Sequence, residues 1–188
     1  MLCLPDPITT PRLLLRIVEL RDLPALMAIN GNRDVTHFLP YATWQAMGDA
    51  LAWFERMAGV MNTGTALQFV VVRQSDELPI GTALLFHHDE GSHRAEVGYV
   101  LGREFWGQGY MQEALQGLVS HAFGTLGLRR LEAEVNPANV ASTKLLQRVG
   151  FRREGLLRQR WEAKGEPYDV VAFGLLSHEY RPPAGATP

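Results

Sequence analysis

The order of elements along this chain predicts an α/β domain built on a mixed central sheet. Three observations carry the prediction. Short segments of alternating or β-branched residues, such as ALQFVVVR at 66–73 and RLEAEV at 130–135, read as strands. Elsewhere the apolar residues recur at helical spacing, most clearly Met111, Leu115, Leu118, Ala122 and Leu126. Between the strand-like AEVGYVLG at 95–102 and that helix stands FWGQGYM, with two glycines one residue apart. There the backbone can take positive φ, and another molecule can approach the main chain without meeting a side chain.

Taken in order, residues 12–20 (RLLLRIVEL) form a first strand, and Asp22 is placed to cap the helix LPALMAIN. Thr43 is placed to cap a longer helix through WQAMGDALAWFERMAGVM, with Met47, Leu51, Phe54 and Met61 on its apolar face. Residues 66–73 and 79–88 are strands joined by the hairpin-like QSDEL, and 95–102 follows the turn DEGSH. After the glycine turn and the long helix comes the strand at 130–135. NVASTKLLQRV is then a short helix with Ala141, Leu145 and Val149 on one face and Gly150 as its stop. The chain closes with two strands around the turn KGEP. The order is β-α-α-β-β-β-α-β-α-β-β.

Composition narrows the function classes. The chain has 188 residues, 46% hydrophobic and 20% charged, which suits one globular domain; it is expected over residues 1–180, with RPPAGATP (181–188) composed like a disordered tail. Eighteen Lys and Arg against 20 Asp and Glu leave a charge of −2, which argues against a dedicated nucleic-acid binder. No apolar run reaches the length of a membrane span. The start MLCLPDPITTPRLLL, broken by three prolines, reads as neither signal peptide nor anchor. The single cysteine, Cys3, rules out an intramolecular disulfide and fits a cytoplasmic protein. The six histidines (37, 87, 88, 93, 121 and 178) show no ligand spacing, so no metal is expected.

A strand, a glycine turn and a long helix in succession can form an anion site, because the first helical N–H groups lack partners and sit at the positive end of the dipole. The turn is not a P-loop, since no Lys follows, and not a dinucleotide fingerprint, since Gln112 stands where the third glycine belongs. On the turn alone, a phosphate cradle and an ordinary tight turn both remain open.

Downstream, NPANVASTKLLQRVGF combines two asparagines, a short amphipathic helix and a Gly-Phe return. Together with EVGYVL and WGQGYMQEAL, it resembles the GNAT superfamily of acetyl-CoA-dependent N-acyltransferases. TPRLLLRIVELRDLPALMAIN and GEPYDVVAFGLLSHEY look like its RimJ/RimL-type branch, and the resemblance covers about residues 8 to 180. It implies a mostly antiparallel sheet of about seven strands, helices on both faces, and a splay between the fourth and fifth strands.

The resemblance also implies roles. Trp106, Gly107, Gln108, Gly109, Tyr110, Met111 and Gln112 would form the pyrophosphate loop of acetyl-CoA. Here Trp106 and Met111 depart from the family pattern, which has Arg or Gln first and Gly or Ala last. Met111 fits only if its side chain turns into the core, as its place on the apolar stripe suggests. Backbone groups of Val100 and Leu101 would pair with pantetheine, and Asn136 and Asn139 would stand at the mouth of the splay. Both asparagines also have plain structural readings, as turn residue and helix N-cap. Phe38, Tyr41 and Trp44 would line the acceptor wall, ahead of Trp53.

Acyl transfer to an amine needs a neutral nucleophile and stabilised developing charge. Glu96 is the candidate base, with a solvent-facing strand residue as its other reading. The tyrosine acid of many relatives falls at Leu146, so the acid is missing there; Ser142 is the replacement, placed to hydrogen-bond the thioester sulfur, or else a polar helix residue bonded to its own main chain. Arg129, Arg130, Arg148, Arg152, Arg153 and Lys144 make the second half locally basic, either toward the CoA 3′-phosphate or as a solvated face. The expected function is acetyl transfer from acetyl-CoA to a primary amine, a protein N-terminus first, by direct attack in a ternary complex. The alternatives are a small-molecule amine or antibiotic as acceptor, or a CoA-binding sensor without activity. The expected assembly is a monomer or homodimer.

Overall fold

The computed structural model describes Leu2 and residues 4–182; Cys3 and residues 183–188 of the expected tail lie outside the described residues. The strands are β1 (Ile8–Thr9), β2 (Leu13–Ile17), β3 (Leu67–Arg73), β4 (Leu78–Asp89), β5 (Arg94–Leu101), β6 (Arg130–Val135), β7 (Arg152–Ala163) and β8 (Glu166–Leu176). They form one sheet in the order β1-β2-β3-β4-β5-β6-β8-β7. Only β5 and β6 pair in parallel. This is the expected mixed, mostly antiparallel sheet with one strand more, because two-residue β1 is too short to show a pattern.

The helices are α1 (Leu23–Asn30), α2 (Arg33–Thr36), α3 (Met47–Asn62), α4 (Tyr110–Gly124) and α5 (Val140–Val149). They cover both faces. On one face, α4 and α5 bury Met111, Leu115, Leu118, Leu146 and Val149 against Phe69, Leu85, Val97, Leu131 and Phe173. On the other, α1 and α3 bury Leu26, Ile29, Ala50 and Trp53 against Val70 and Val72. Phe69 and Val71 face one core while Val70 and Val72 face the other, so residues 69–72 of β3 are apolar without a break.

Local expectations need correction at four places. Asp22 does not cap α1; its carboxylate is buried and accepts both terminal nitrogens of Arg16 (2.8 and 2.6 Å) and the Glu19 N–H (2.8 Å). Thr43 does not cap α3, which begins four residues later. There Asp49 accepts the N–H groups of Gln45 and Ala46, while the Thr43 hydroxyl bonds to that of Thr36 at 2.7 Å. The buried face of α3 carries Ala50 and Trp53, with Phe54, Met57 and Met61 partly buried; Met47 and Leu51 are 41% and 43% exposed. In α5 the buried face is Leu146 and Val149 with Leu145 alongside, and Ala141 is exposed.

Two irregularities in the sheet position the site. Pairing between β5 and β6 covers Arg94↔Arg130, Ala95↔Leu131 and Glu96↔Glu132 and then stops, although both strands continue. This is the expected splay. β5 stays with β4 beyond that point, where Gly81 permits close approach: a Cβ there would collide with the Val100 carbonyl. The second irregularity is a bulge in β4, whose register passes from Phe86↔Glu96 to Asp89↔Arg94, one residue more on β4 than on β5.

Candidate active site

A cleft of about 1410 Å³ opens where β5 and β6 part, and it passes through the sheet. Period-two alternation assigns its sides. Ala95, Val97 and Tyr99 face the core under α4 and α5, whereas Val100 faces the core under α1 and α3. Glu96 shares the parity of Val100 and lies on that second side.

On the first side, Gly107 and Gly109 have φ of +76° and +79°, left-handed values that a side chain disfavours. Gly109 is the N-cap of α4 and opens that helix toward the cleft without a side chain of its own. The loop is held from behind by Arg12. Its guanidinium donates to the Gln108 carbonyl (3.1 Å) and to Glu113 (2.6 Å), and it lies 4.4 Å over the Tyr110 ring. The Gln108 side-chain amide donates to the Glu104 carbonyl, and Gln112 lines the cleft. Met111 is only 5% exposed and packs in the core, so the thioether does not fill the loop. Trp106 is 41% exposed; its indole N–H donates to the Leu101 carbonyl at 2.8 Å, and Arg103 covers its ring.

The Gly102 N–H donates to the Ile80 carbonyl, and by two-residue alternation the Val100 amide groups also face β4. Those of Tyr99 and Leu101 face the splay instead. Asn136 accepts the Ala138 N–H and Asn139 accepts the Ser142 N–H, so both amide oxygens perform the structural roles read from sequence. Both residues also line the cleft. Ser142 shares a 2.6 Å hydrogen bond with the Tyr99 hydroxyl. Burial pushes the Tyr99 phenol up to about 12, against the smaller opposing effect of Ser142, so it is protonated at neutral pH. Leu146, at the position of the family tyrosine, is fully buried in the core.

On the other side, Glu96 is buried and lines the cleft, with a 2.9 Å hydrogen bond from His87 Nδ1. Phe38, Tyr41, Trp53, Trp161 and Tyr168 line the same cleft. The Tyr41 hydroxyl donates to Asn30, and burial raises the ionisation of that phenol well above its usual range. Trp44 is not a wall residue. It is buried, 5.6 Å from the Trp53 ring, and Trp53 lines the cleft in its place. Glu134 accepts from Arg160 and from the Trp161 indole. The tip of the β7–β8 hairpin closes this wall, where Lys164 donates to the carbonyls of Thr36 (2.7 Å) and His37 (3.1 Å).

Of the basic residues, Lys144 and Arg148 line the cleft, while Arg130 is bound to Glu132 and Glu154, and Arg152 to Glu179. Among the described residues no group of three or more His, Cys, Asp or Glu is placed to hold a metal, and no helix is long and apolar enough to cross a membrane. Tyr99, Trp161 and Lys164 are not among the site residues expected from sequence, and Trp53 ranks there behind Trp44. Parity with Ala95 and Val97 was the one available signal for Tyr99; nothing in the sequence pairs it with Ser142.

A glycine-led helix beside a parted parallel strand pair is the arrangement that the GNAT resemblance implies. Residues 12–152 match the Acetyltransferase (GNAT) domain, and the chain belongs to that family. It is similar to the uncharacterized N-acetyltransferase p20 of Bacillus licheniformis, 38% identical with 93% of this chain and 98% of that protein covered. It is also similar to the ribosomal protein uS5-alanine N-acetyltransferase of Escherichia coli, 29% identical with 93% of each covered. The spermidine N-acetyltransferase of Vibrio cholerae, solved with CoA and spermine, shares the fold with a TM-score of 0.79 at 23% identity, over 91% of this chain and 99% of that one. The chain is therefore an N-acyltransferase of the GNAT family, similar to RimJ/RimL-type enzymes, and two solved structures that share its fold hold CoA.

Proposed function

We propose that the chain transfers the acetyl group of acetyl-CoA to a primary amine, foremost a protein N-terminal α-amine, by direct attack in a ternary complex. One observation carries this reading. At the splay, Glu96 stands on one side of the sheet and the Tyr99–Ser142 pair on the other. A thioester lying between them would meet a base on the side of attack and hydroxyl donors on the side of departure.

The unpartnered N–H groups opening α4 take the pyrophosphate, with Arg12 holding the loop from behind. The splay-facing N–H and carbonyl of Tyr99 and the N–H of Leu101 offer a strand edge to pantetheine, as the uncoupled ladder after Glu96 permits, while the Leu101 carbonyl holds the Trp106 indole. Asn136 and Asn139 keep their amide NH2 groups for the ligand. Lys144 and Arg148 meet its terminal phosphate.

An α-ammonium has a pKa of about 8, so removing its proton at neutral pH asks little of a carboxylate. Glu96 accepts that proton. The neutral nitrogen forms the C–N bond to the thioester carbonyl carbon and loses its second proton to solvent, and the C–S bond breaks with its electron pair going to sulfur. A thiol has a pKa of about 8.5, below that of the buried phenol. Ser142, oriented by Tyr99, therefore stabilises the sulfur by donating a hydrogen bond rather than by surrendering its proton, which solvent supplies.

The charge balance of the acceptor side supports a single amine rather than a polyamine. Asp34 is paired with Arg103 and Glu134 with Arg160, which leaves Glu96 as the carboxylate turned to the acceptor. The test compares a peptide with a free N-terminal alanine, the same peptide N-blocked but carrying lysine, and spermidine. Turnover confined to the first is expected. Preference for spermidine would reverse the acceptor assignment.

A further inference from the structure

We infer that His87 is a positioning residue for the reaction: from a bulge in β4, its imidazole N–H holds the Glu96 carboxylate in the orientation that takes the acceptor's proton. The inference rests on the reading of Glu96 as base.

In a regular strand the alternation of β4 would send Phe86 and His87 to opposite faces. Phe86 is the ladder partner of Glu96, and the next pairing, Asp89↔Arg94, leaves one extra residue on β4. That extra residue lets His87 join Phe86 on the Glu96 side instead of entering the core beneath α4 and α5. His87 has φ of +50°, a left-handed conformation inside a 12-residue strand. Few residues other than glycine tolerate it, with Asn, Asp and His the most accepting. Backbone strain of this kind persists where surrounding structure enforces it, and it concentrates at functional sites.

The bulge places the imidazole 2.9 Å from Glu96 Oε1, with its ring 4.6 Å from that of Phe86. The Glu96 side chain is 12% exposed and that of His87 57%, so the imidazole enters from solvent to reach a carboxylate facing the cleft. The neighbouring acids are already matched. Glu132 is bound by Arg94 and Arg130, and Asp89 faces Arg94 and accepts the Ser92 N–H. The backbone N–H of His88 donates to the Thr65 carbonyl. With Oε1 held by His87, Oε2 is left for the amine.

The experiment measures kcat, KM for acetyl-CoA and Tm for wild type, His87→Gly, His87→Asn and Glu96→Gln, with an N-terminal alanine peptide and spermidine as acceptors. His87→Gly relieves the left-handed strain, so its Tm is expected to hold or rise. Its kcat is expected to fall about tenfold or more while KM for acetyl-CoA stays put, since the lost contact orients only the base. His87→Asn tolerates the same φ and keeps an N–H donor, so it should recover most of that kcat. A fall in kcat matched by a lower Tm, with no recovery in His87→Asn, would overturn the inference in favour of a structural role. Full activity in His87→Gly with loss in Glu96→Gln would overturn it and leave the base assignment standing. Full activity in Glu96→Gln, or no turnover of either amine by wild type, would overturn both.

Discussion

Tyr99 and Ser142, 43 residues apart in the chain, share a 2.6 Å hydrogen bond that joins the end of β5 to the start of α5. The bond spans the floor of the splay, on the sheet face away from Glu96. It exists because β5 continues past its last pairing with β6, and because Asn139 caps α5 through the Ser142 N–H, which sets the direction of that hydroxyl. In the proposed reaction the pair supplies what the buried Leu146 cannot.

If the pair acts as a unit, removing either hydroxyl lowers kcat more than it raises KM. Ser142→Ala is expected to lose about 100-fold in kcat, the scale of one donor aimed at developing charge. Tyr99→Phe, acting through Ser142, should lose about tenfold. The double variant should be no slower than Ser142→Ala alone, because the two effects share one route. Steady-state kinetics of the three variants check this; additive losses would separate the two hydroxyls.

The loop and the N-terminal strand are tied by Glu113, which takes the Thr10 hydroxyl and both the N–H and guanidinium of Arg12. Burial pushes the Glu113 carboxyl up, but these hydrogen bonds together hold it below its ordinary value. A depressed carboxyl contributes stability that is fully present above its unfolded pKa of about 4.3 and lost as pH falls through the folded value. Wild type should therefore lose stability on acidification below about pH 4 more steeply than Glu113→Gln, whose curve is flatter there and lower at neutral pH. Thermal denaturation across pH checks the slope.

Met111 separates the core from the cradle. Because its side chain packs under α4 rather than in the loop, Met111→Ala should cost about 3 kcal/mol of stability, in the range for truncating a buried methionine. CoA affinity measured well below the melting temperature should change little. A large gain in affinity would mean that the thioether does obstruct the loop.

Local signals were legible where one residue type answers one backbone demand. Gly150 takes the left-handed cap of α5 with φ of +114°, Asn139 caps the same helix, and Gly107 and Gly109 take positive φ where a close approach was expected. Met111 turned inward as its stripe required. Signals failed where a partner far along the chain decides the outcome. Asp22 looked like a cap because the competing claim of Arg16 is a tertiary contact. The face of α3 was misassigned because Trp53 and Trp44 pack against each other, a pairing that periodicity does not show. Nothing in FHHD marks the extra residue that turns His87 toward Glu96.

The central claim is that the parted strands and the glycine-led helix bind CoA. Calorimetric titration of acetyl-CoA, CoA and ATP into wild type and Gly109→Trp tests it most directly. At φ of +79° beside Arg12, an indole is both strained and in the way of the loop. The account predicts that wild type binds both CoA species, that ATP does not substitute for them, and that Gly109→Trp loses that binding while remaining folded. Undiminished binding in the variant, or none in wild type, would contradict it.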